Sequence, residues 1–370
     1  MPTHSTSISW CEEDRHATYH QHKSFNNWLD EKGEDAEKVL ERYGLLNIAT
    51  PSKALFAGDP TAYELEIDRH FQEKRDFALG ADSFDDLWFR KNKAHFNQLI
   101  EHLKGESIVP FIGAGVSCTS GYPGWSQHLV NHANASGLSD AQRRIDEGLH
   151  EEIIDELIQK HKMPLFVQGM KDDFLGEPAN LDLQRLIVNL CKHVIVTTNY
   201  DLCIEKALAA SGGAYVTPIS STERDNQDLI FACSNRKRAL LKLHGTITSP
   251  ANCILSKAHY DVAYGEAYLN MSLPIPKKLR RLYEHVSLLF VGCSLIADRT
   301  MNVFRALKEE LGENVPQHFA ILEAPADVSQ LPNRNAFLSQ HGITPIWYPR
   351  GEHDRLPEIL NAISDELYRY

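Results

Sequence analysis

Short apolar segments alternate with helical patterns through most of this 370-residue chain, and this alternation restricts the possible folds more than any other feature. Residues 107–112 (SIVPFI), 194–198 (VIVTT) and 287–291 (SLLFV) have the composition of buried strands. Further strands are predicted at residues 240–243, 318–322 and 343–348, with helices between them. This order is typical of a parallel sheet that helices cover on both faces. We therefore predict an α/β fold with a Rossmann-like, doubly wound parallel sheet.

Two regions depart from the alternation. Residues 1–91 are rich in charged and aromatic side chains and hold few strand-like runs, so we predict a helical N-terminal extension there. Residues 92–370 carry the alternation and are predicted to form the domain that holds the functional site. Within that domain, residues from about 134 to 182 are polar and helical, without a strong strand. We expect them to form a helical insertion that covers the site.

The net charge and the positions of the cysteines argue against several classes of protein. The formal net charge of −12 argues against a protein that binds nucleic acid through a broad basic surface. None of the seven cysteines lies in a C-x-x-C pair, so we predict no zinc ribbon, no redox dithiol and no other metal site. The N-terminus lacks a basic segment followed by an apolar one, and the longest apolar stretch, residues 286–297, is too short to span a membrane. The chain is therefore expected to be cytoplasmic.

Four polar or glycine-rich motifs each follow a predicted strand. They are GAGVS at residues 113–117, TTNYD at 197–201, LHG at 243–245 and VGCS at 291–294. Each motif alone has a structural explanation, since glycine suits a tight turn, aspartate suits a helix N-cap, and a single histidine is more often structural. The carboxyl ends of parallel strands meet at one edge of the sheet, and ligands bind at that edge. The four motifs together therefore favour a nucleotide-binding site.

In their order along the chain, the four motifs resemble those of the sirtuin family over roughly residues 92–350. The first motif extends to GAGVSCTSGYPGW, at residues 113–125, and resembles the sirtuin phosphate loop. TTNYD resembles the sirtuin T-Q-N-x-D segment, LHG resembles the segment with the catalytic histidine, and VGCS resembles the late G-[TS]-S segment. The resemblance implies a sirtuin-like fold with NAD⁺ as the substrate.

The resemblance also implies a role for each candidate residue. Asn199 would position the attacking water, Asp201 would lie near the nicotinamide carboxamide, and His244 would act as the general base. Trp125 would shield the reacting sugar. The other cofactor-binding candidates are Gly113, Ala114, Gly115 and Ser117 at the diphosphate, Thr198 in the T-Q-N segment, and Gly292, Cys293 and Ser294 at the adenosine end. Asn199→Ala or His244→Ala is expected to abolish turnover without unfolding the chain.

Two departures from the family pattern bear on the reaction. Deacetylating sirtuins carry a four-cysteine zinc module soon after the histidine, but residues 246–267 hold one cysteine here. Thr198 also replaces the glutamine of the family motif. Both departures count against protein deacetylation and imply that no zinc is needed. The chain is more similar to the sirtuin-like effectors of bacterial antiphage defence, which hydrolyse NAD⁺ to ADP-ribose and nicotinamide. The acidic and aromatic stretch at residues 258–264 adds to this likeness.

Three other function classes compete with the NAD⁺ hydrolase. A deacylase would need a peptide cleft, and the missing zinc module counts against it. A sensor that binds NAD⁺ or ADP-ribose without cleaving it would need neither Asn199 nor His244. A dehydrogenase fails because the GAG motif does not continue to G-x-G-x-x-G and no acidic residue is evident after the second strand.

The partners expected from the resemblance are other copies of the chain, in a homo-oligomer, and a HerA-type ATPase or another defence protein. The chain has no Walker A motif, so any ATPase would be a separate protein. Neither a membrane nor directly bound nucleic acid is expected as a partner.

Overall fold

Six parallel strands form one sheet in the computed structural model of the protein, which describes residues 13–45, 50–212, 219, 225–296 and 298–368. The strands are β1 (Ile108–Ile112), β2 (Val194–Thr197), β3 (Ala239–Lys242), β4 (Ser287–Val291), β5 (His318–Glu323) and β6 (Ile343–Tyr348). All six predicted strands are therefore present, and their ends differ from the predicted ends by at most one residue.

The strand order is β3-β2-β1-β4-β5-β6, and every neighbouring pair is parallel. The chain runs outward from β1 to β3 on one side and then crosses to β4 on the other, which is the doubly wound arrangement that the sequence predicted. The order reverses between β1 and β4, and ligands of such sheets bind in the crevice at this point. We name four loops by the strand that each follows: the β1 loop (residues 113–117), the β2 loop (198–202), the β3 loop (243–245) and the β4 loop (292–296).

Helices cover both faces of the sheet and build the rest of the described chain. They are α1 (Glu13–Gln21), α2 (Lys23–Glu31), α3 (Glu34–Arg42), α4 (Pro51–Gly58), α5 (Pro60–Ala78), α6 (Asp86–Lys104), α7 (Ala114–Cys118), α8 (Trp125–Ala135), α9 (Ala141–Asp146), α10 (His150–Phe174), α11 (Asp182–Leu190), α12 (Cys203–Ala210), α13 (Asp225–Ser234), α14 (Lys257–Tyr264), α15 (Pro274–His285), α16 (Arg299–Leu311), α17 (Leu331–Ser339) and α18 (Arg355–Tyr368). Among the residues described, none of these helices has both the length and the apolar character that a bilayer crossing requires.

Alternate side chains of each strand enter two separate apolar cores. In β1, Val109 and Phe111 belong to one core, whereas Ile108 and Ile112 belong to the other. A strand that is buried on both faces needs apolar residues at consecutive positions, and this explains why SIVPFI shows no alternation of apolar and polar residues. The two cores hold the strands rigidly, so that the loops at their carboxyl ends have fixed positions.

Helix α16 shows how local sequence sets the ends of the elements. The side chain of Asp298 accepts a hydrogen bond from the N–H of Met301 at 2.8 Å and so caps the first turn. Gly312 ends the helix with a φ of 62°, a left-handed conformation that glycine adopts without a steric penalty. Between these ends, Phe304 and Leu307 are buried against the sheet core.

The region predicted as a helical insertion contains helices α9 and α10. Helix α10 is kinked at Lys162, whose φ of 68° and ψ of 151° are not helical, two residues before Pro164. Buried side chains of α8, α9 and α10 form a third apolar core, and Tyr200 from the β2 loop belongs to it. This core places the insertion beside the carboxyl end of β2.

The chain divides into two compact units, residues 1–77 and 78–370. The boundary predicted at residue 91 falls inside helix α6, which begins at Asp86. The described part of the first unit consists of helices α1–α5 around its own apolar core, which includes Phe25, Leu29 and Tyr63. The predicted extension also included residues 1–12, which lie outside the part described.

Candidate active site

The β1 and β4 loops touch each other through their backbones. The N–H groups of Gly113 and Gly115 donate to the carbonyl oxygens of Val291 and Gly292, at 3.0 and 2.9 Å. A Cβ atom at Gly113 would lie 2.5 Å from the carbonyl oxygen of Gly292, and one at Gly292 would lie 2.5 Å from the backbone nitrogen of Val116. Neither position therefore has room for a side chain.

These contacts explain why glycine occupies these positions, and the explanation differs from the one expected from the sequence. The expected reasons were a turn with positive φ and a close approach of the backbone to a diphosphate. Gly113 has a φ of −107°, and the left-handed conformation occurs at Gly292, with a φ of 67°. The N–H groups of Gly113 and Gly115 are already used within the protein. The N–H of Ala114, at the first position of α7, has no acceptor inside its own helix.

Asn199 is held in one orientation by the β1 loop. Its side-chain nitrogen donates to the carbonyl oxygen of Gly113 and to Oγ of Ser117, each at 3.0 Å. A backbone carbonyl only accepts hydrogen bonds, so the nitrogen of the amide must face Gly113. The other amide atom, Oδ1, has no hydrogen-bond partner among the described residues. Asn199 is 8% exposed, so this oxygen is a fixed acceptor at the carboxyl end of the sheet.

Ser117 and Asp201 continue this hydrogen-bond network. The Ser117 hydroxyl accepts from Asn199 and donates to Oδ2 of Asp201 at 2.7 Å. Oδ1 of Asp201 accepts from the N–H of Cys203 at 2.9 Å, next to the start of α12. Ser117 and Asp201 are 3% and 5% exposed, so both side chains are committed to the protein. The network therefore runs from the β1 loop through the β2 loop to a helix.

A buried ion pair that the sequence did not predict supports the β2 loop. The ammonium group of Lys242, at the end of β3, donates to the backbone carbonyls of Tyr200 and Asp201. It also pairs with Oε1 of Glu205 at 2.8 Å. A buried lysine whose charge and donors are all matched fixes the course of the backbone around it. The sequence feature that could have indicated this ion pair is Lys242 itself, a charged residue within the apolar run LLKL.

His244 lies one residue beyond Leu243, whose N–H donates to the carbonyl of Thr197 at the end of β2. Its Nε2 is 2.8 Å from the hydroxyl of Tyr264, and its Nδ1 is 3.5 Å from the hydroxyl of Tyr260. The Tyr264 hydroxyl is also 3.2 Å from Oγ1 of Thr300. In the tautomer that carries its proton on Nε2, His244 donates to the Tyr264 hydroxyl, and this hydroxyl donates to Oγ1 of Thr300. Nδ1 of His244 is then unprotonated, and its lone pair can accept a hydrogen bond or a proton.

Burial determines the charge of His244. Its ring is 7% exposed, and loss of water lowers its pKa to about 4. The imidazole is therefore neutral near pH 7 and able to accept a proton. Gly245 packs against Cys253, whose Cα would lie 2.9 Å from an added Cβ.

Trp125 lies at the first position of α8, directly after the GYPG turn. Its ring is 5.3 Å from the ring of Tyr200, and it stacks on His128 at 5.2 Å. Tyr200 follows Asn199 in the chain and donates its hydroxyl to the carbonyl of Ile254 at 2.6 Å. Trp125 therefore lies beside the β2 loop.

Arg299 connects three elements near these tyrosines. Its guanidinium donates to Glu151 of α10 at 2.8 Å and to Asp261 of α14 at 2.6 Å. It also donates to the carbonyl of Gly265 at 2.8 Å. This cluster joins the insertion to the segment that carries Tyr260. The sequence offered no signal for it, because the partners are far apart in the chain.

The remaining candidates lie at the same sheet edge but make fewer side-chain contacts. The N–H of Thr198 is 3.4 Å from the carbonyl of Ile112, and the thiol of Cys293 is 3.5 Å from the carbonyl of Phe111. Ser294 is exposed, and its backbone carbonyl accepts from Arg334 at 2.7 Å. The structure thus joins the candidates of the β1 and β2 loops directly, whereas no contact is described between the side chain of Ser294 and the others.

Residues 246–267 contain one cysteine, and it is buried. Cys253 is buried, and its thiol lies 3.2 Å from the carbonyl oxygen of Thr246. The N–H of Ile254 donates to the carbonyl of His244 at 2.9 Å. The stretch therefore packs directly onto the histidine.

Known proteins with similar sequences include NAD⁺ hydrolases. Residues 193–346, which contain the β2, β3 and β4 loops, match the family model of the SIR2-like domain. The protein named NAD(+) hydrolase ThsA from Enterococcus faecium is 24% identical over 233 residues, which cover 61% of this chain and 45% of that protein. Its namesake from Bacillus cereus is 23% identical over 218 residues, covering 59% and 43%.

A third relative is shorter in its match but more similar. Defense-associated sirtuin 2 of Bacillus subtilis is 31% identical over 153 residues, which cover 40% of this chain and 14% of that protein. The chain therefore spans less than half the length of each of these relatives.

Proposed function

We propose that the chain binds NAD⁺ at the carboxyl edge of its sheet and hydrolyses the bond between nicotinamide and ribose, because residues 193–346 match the SIR2-like domain. The products are ADP-ribose and nicotinamide. The observation that carries this proposal is that a fixed amide acceptor, Oδ1 of Asn199, and a neutral buried imidazole, that of His244, follow two neighbouring parallel strands. Names of the relatives support the same reaction.

The substrate would lie across the crevice between β1 and β4. The N–H of Ala114 and the start of α7 face the diphosphate in this proposal, and the β4 loop lies at the adenosine end. The nicotinamide ribose would then lie between the β2 and β3 loops, which carry Asn199 and His244. Trp125 would close this end against water.

The reaction needs charge stabilisation and a positioned water molecule. When the bond to nicotinamide breaks, its electron pair moves to the ring nitrogen, and positive charge develops on the ribose. Oδ1 of Asn199 accepts a hydrogen bond from the attacking water and directs its oxygen toward C1′ of the ribose. The water oxygen then bonds to C1′, and a proton is released.

His244 would take that proton, either from the water or through a ribose hydroxyl. Nδ1 is the base in this proposal, because Nε2–H is directed to Tyr264. A neutral imidazole in the resting enzyme is the form that a general base requires. Tyr264 acts through His244 by fixing its tautomer and orientation, so it is a positioning residue.

Asp201 and Ser117 take positioning roles in the same proposal. Asp201 accepts hydrogen bonds from Ser117 and from the backbone at Cys203, and this network orients the Asn199 amide. The family resemblance implies instead that Asp201 lies near the carboxamide and that Ser117 contacts the diphosphate. With both side chains buried and occupied, a role in holding Asn199 fits their contacts better.

The test is incubation of the purified chain with NAD⁺, with and without an acetylated peptide. Chromatography would measure nicotinamide, ADP-ribose and the deacetylated peptide. We expect ADP-ribose without peptide in the unaltered chain and none in His244→Ala. Nicotinamide release that requires the peptide would contradict hydrolysis and favour the deacylase.

We also propose that the activity serves defence against phage, as the name of the Bacillus subtilis relative suggests for that protein. Loss of cellular NAD⁺ harms the cell, so self-association or a separate partner such as a HerA-type ATPase would restrain or trigger the enzyme. Expression of the chain and of His244→Ala in bacteria challenged with phage tests this role. Equal phage yield in both cultures would count against it.

A further inference from the structure

Two histidines and one carboxylate converge where the insertion meets helix α8. His128 and His132 are four residues apart on α8, so they lie on one face of the helix. Asp173 lies near the end of α10 and approaches both rings. Its Oδ2 is 2.6 Å from Nδ1 of His128 and 3.3 Å from Nε2 of His132. These three atoms all lie within 4.8 Å of one another.

The surrounding chain is shaped to hold this arrangement. A Cβ atom at Gly169 would collide with Cε1 of His132, so the ring occupies the space that a side chain would fill. The His128 side chain is fully buried, whereas about a third of the His132 and Asp173 side chains is exposed. The cluster therefore has one closed side and one side open to solvent.

We propose that His128, His132 and Asp173 bind a divalent transition-metal ion of the Zn²⁺ class. Two imidazole nitrogens and one carboxylate oxygen are a ligand set that such ions use, and two histidines four apart on a helix are a common way to supply it. Water takes the remaining position from the exposed side.

Hydrogen bonds alone explain the burial of the His128 ring less well than metal binding does. His128 packs among aromatic rings, at 5.2 Å from Trp125 and 5.0 Å from Phe174. Its Nε2 has no hydrogen-bond partner in the described structure, and its Nδ1 shares the Oδ2 atom of Asp173 with His132. Nε2 lacks a partner in either arrangement, but a metal ion would join both imidazole nitrogens to the carboxylate, which one shared proton does not do.

The ion would join the insertion to the candidate active site. It links α10 to α8, which begins at Trp125, and the Trp125 ring lies against Tyr200 of the β2 loop. Metal binding would thus stabilise the covering helices in place. The inference does not rest on NAD⁺ hydrolysis, and metal binding is measured without NAD⁺.

The test uses the whole chain after treatment with a chelator. Calorimetric titration with Zn²⁺, and visible absorption on addition of Co²⁺, measure binding in the unaltered chain, His132→Ala and Asp173→Asn. Both substitutions are at partly exposed positions, and circular dichroism checks the fold. His353→Ala, at an exposed histidine outside the cluster, is the control.

We expect one ion per unaltered or control chain, and no binding at this site in the two cluster variants. Gly169→Ala should weaken binding by about 10–100-fold, the range seen when residues that support metal ligands are changed, because it displaces His132 without removing a ligand. Absence of binding in the unaltered chain would overturn the proposal. So would equal binding by the unaltered chain and both folded cluster variants.

Discussion

The two halves of the candidate site are built in different ways. Where the β1 and β4 loops meet, backbone touches backbone, and Gly113 and Gly292 leave no room for side chains. In the β2 and β3 loops, side chains make the contacts, and Asn199, Asp201 and His244 are each held by a partner outside these two loops.

This difference separates the part of the site that shapes the binding crevice from the part that carries out the reaction. A site that recognises a diphosphate needs closely approaching backbone, which tolerates no added atom. A site that moves a proton needs side chains whose orientation and charge are controlled. Substitutions on the β1 and β4 side should therefore act first on stability and binding, whereas substitutions on the β2 and β3 side should act first on turnover.

The largest effect on turnover is expected for His244→Ala. Removal of a general base typically lowers a rate by about 10²–10⁴-fold, and we expect kcat for nicotinamide release to fall in this range. Removal of this buried ring also leaves a cavity, so circular dichroism must show that the variant is folded. A folded variant that retains the original kcat would show that the β3 loop does not carry the chemistry.

The largest effect on the fold is expected for Gly292→Ala. The new methyl group would meet the Val116 nitrogen at 2.5 Å, in a backbone conformation with a φ of 67°. We expect a loss of about 1–3 kcal/mol from the free energy of unfolding, measured by urea denaturation of the main unfolding step. Gly312→Ala is the matched control, with a φ of 62° and no atom within 4 Å of the added Cβ.

Both alanine variants place a side chain at a positive φ, and only Gly292→Ala adds the collision between the loops. Equal destabilisation by both substitutions would mean that the close approach of the β1 and β4 loops contributes nothing measurable.

A smaller effect is expected for Tyr264→Phe. The substitution removes the hydroxyl that faces Nε2 of His244 and leaves the buried ring in place. One hydrogen bond is worth about 1 kcal/mol, which corresponds to roughly a fivefold to tenfold decrease in kcat. Tyr260→Phe, whose hydroxyl is 3.5 Å from Nδ1, should cost less. A larger loss with Tyr260→Phe would reverse the assignment of the two nitrogens.

The smallest effect is expected from pH. Because burial lowers the pKa of His244 to about 4, a base at this position stays active from pH 8 down to roughly 5 and loses activity below that. The same shift makes the fold less stable as pH falls from 6.5 toward 4, because the unfolded chain binds the proton more readily. Circular dichroism at each pH separates the two effects. A rate that falls between pH 7 and 6 in folded protein would exclude His244 as the base.

Much of this sheet could be predicted from sequence, because buried parallel strands have a distinct local composition. Six apolar runs gave six strands, and the motifs after four of them lie at one edge. The positions of Asn199 and His244 follow from the parallel order alone. Their neighbours do not, because hydrogen bonds such as Asn199 to Gly113 join residues 86 positions apart.

The interactions that could not be predicted from the sequence also join residues that are far apart in the chain. Lys242 lies in a strand that was recognised, but its partner Glu205 comes from the helix after another strand. Asp173 completes the histidine cluster from the far end of the insertion. The pair His128 and His132 did have a local signal in its four-residue spacing, and the third ligand could only be found in three dimensions.

The most direct test of this comparison, in which the β1 and β4 loops serve binding and the β2 and β3 loops serve turnover, is to measure both properties in one variant. We would titrate ADP-ribose into the unaltered chain and into His244→Ala by calorimetry, and measure nicotinamide release from NAD⁺ by both. We expect the same Kd for ADP-ribose in both proteins and loss of nicotinamide release in His244→Ala. Loss of ADP-ribose binding together with turnover, or turnover that persists without His244, would contradict it.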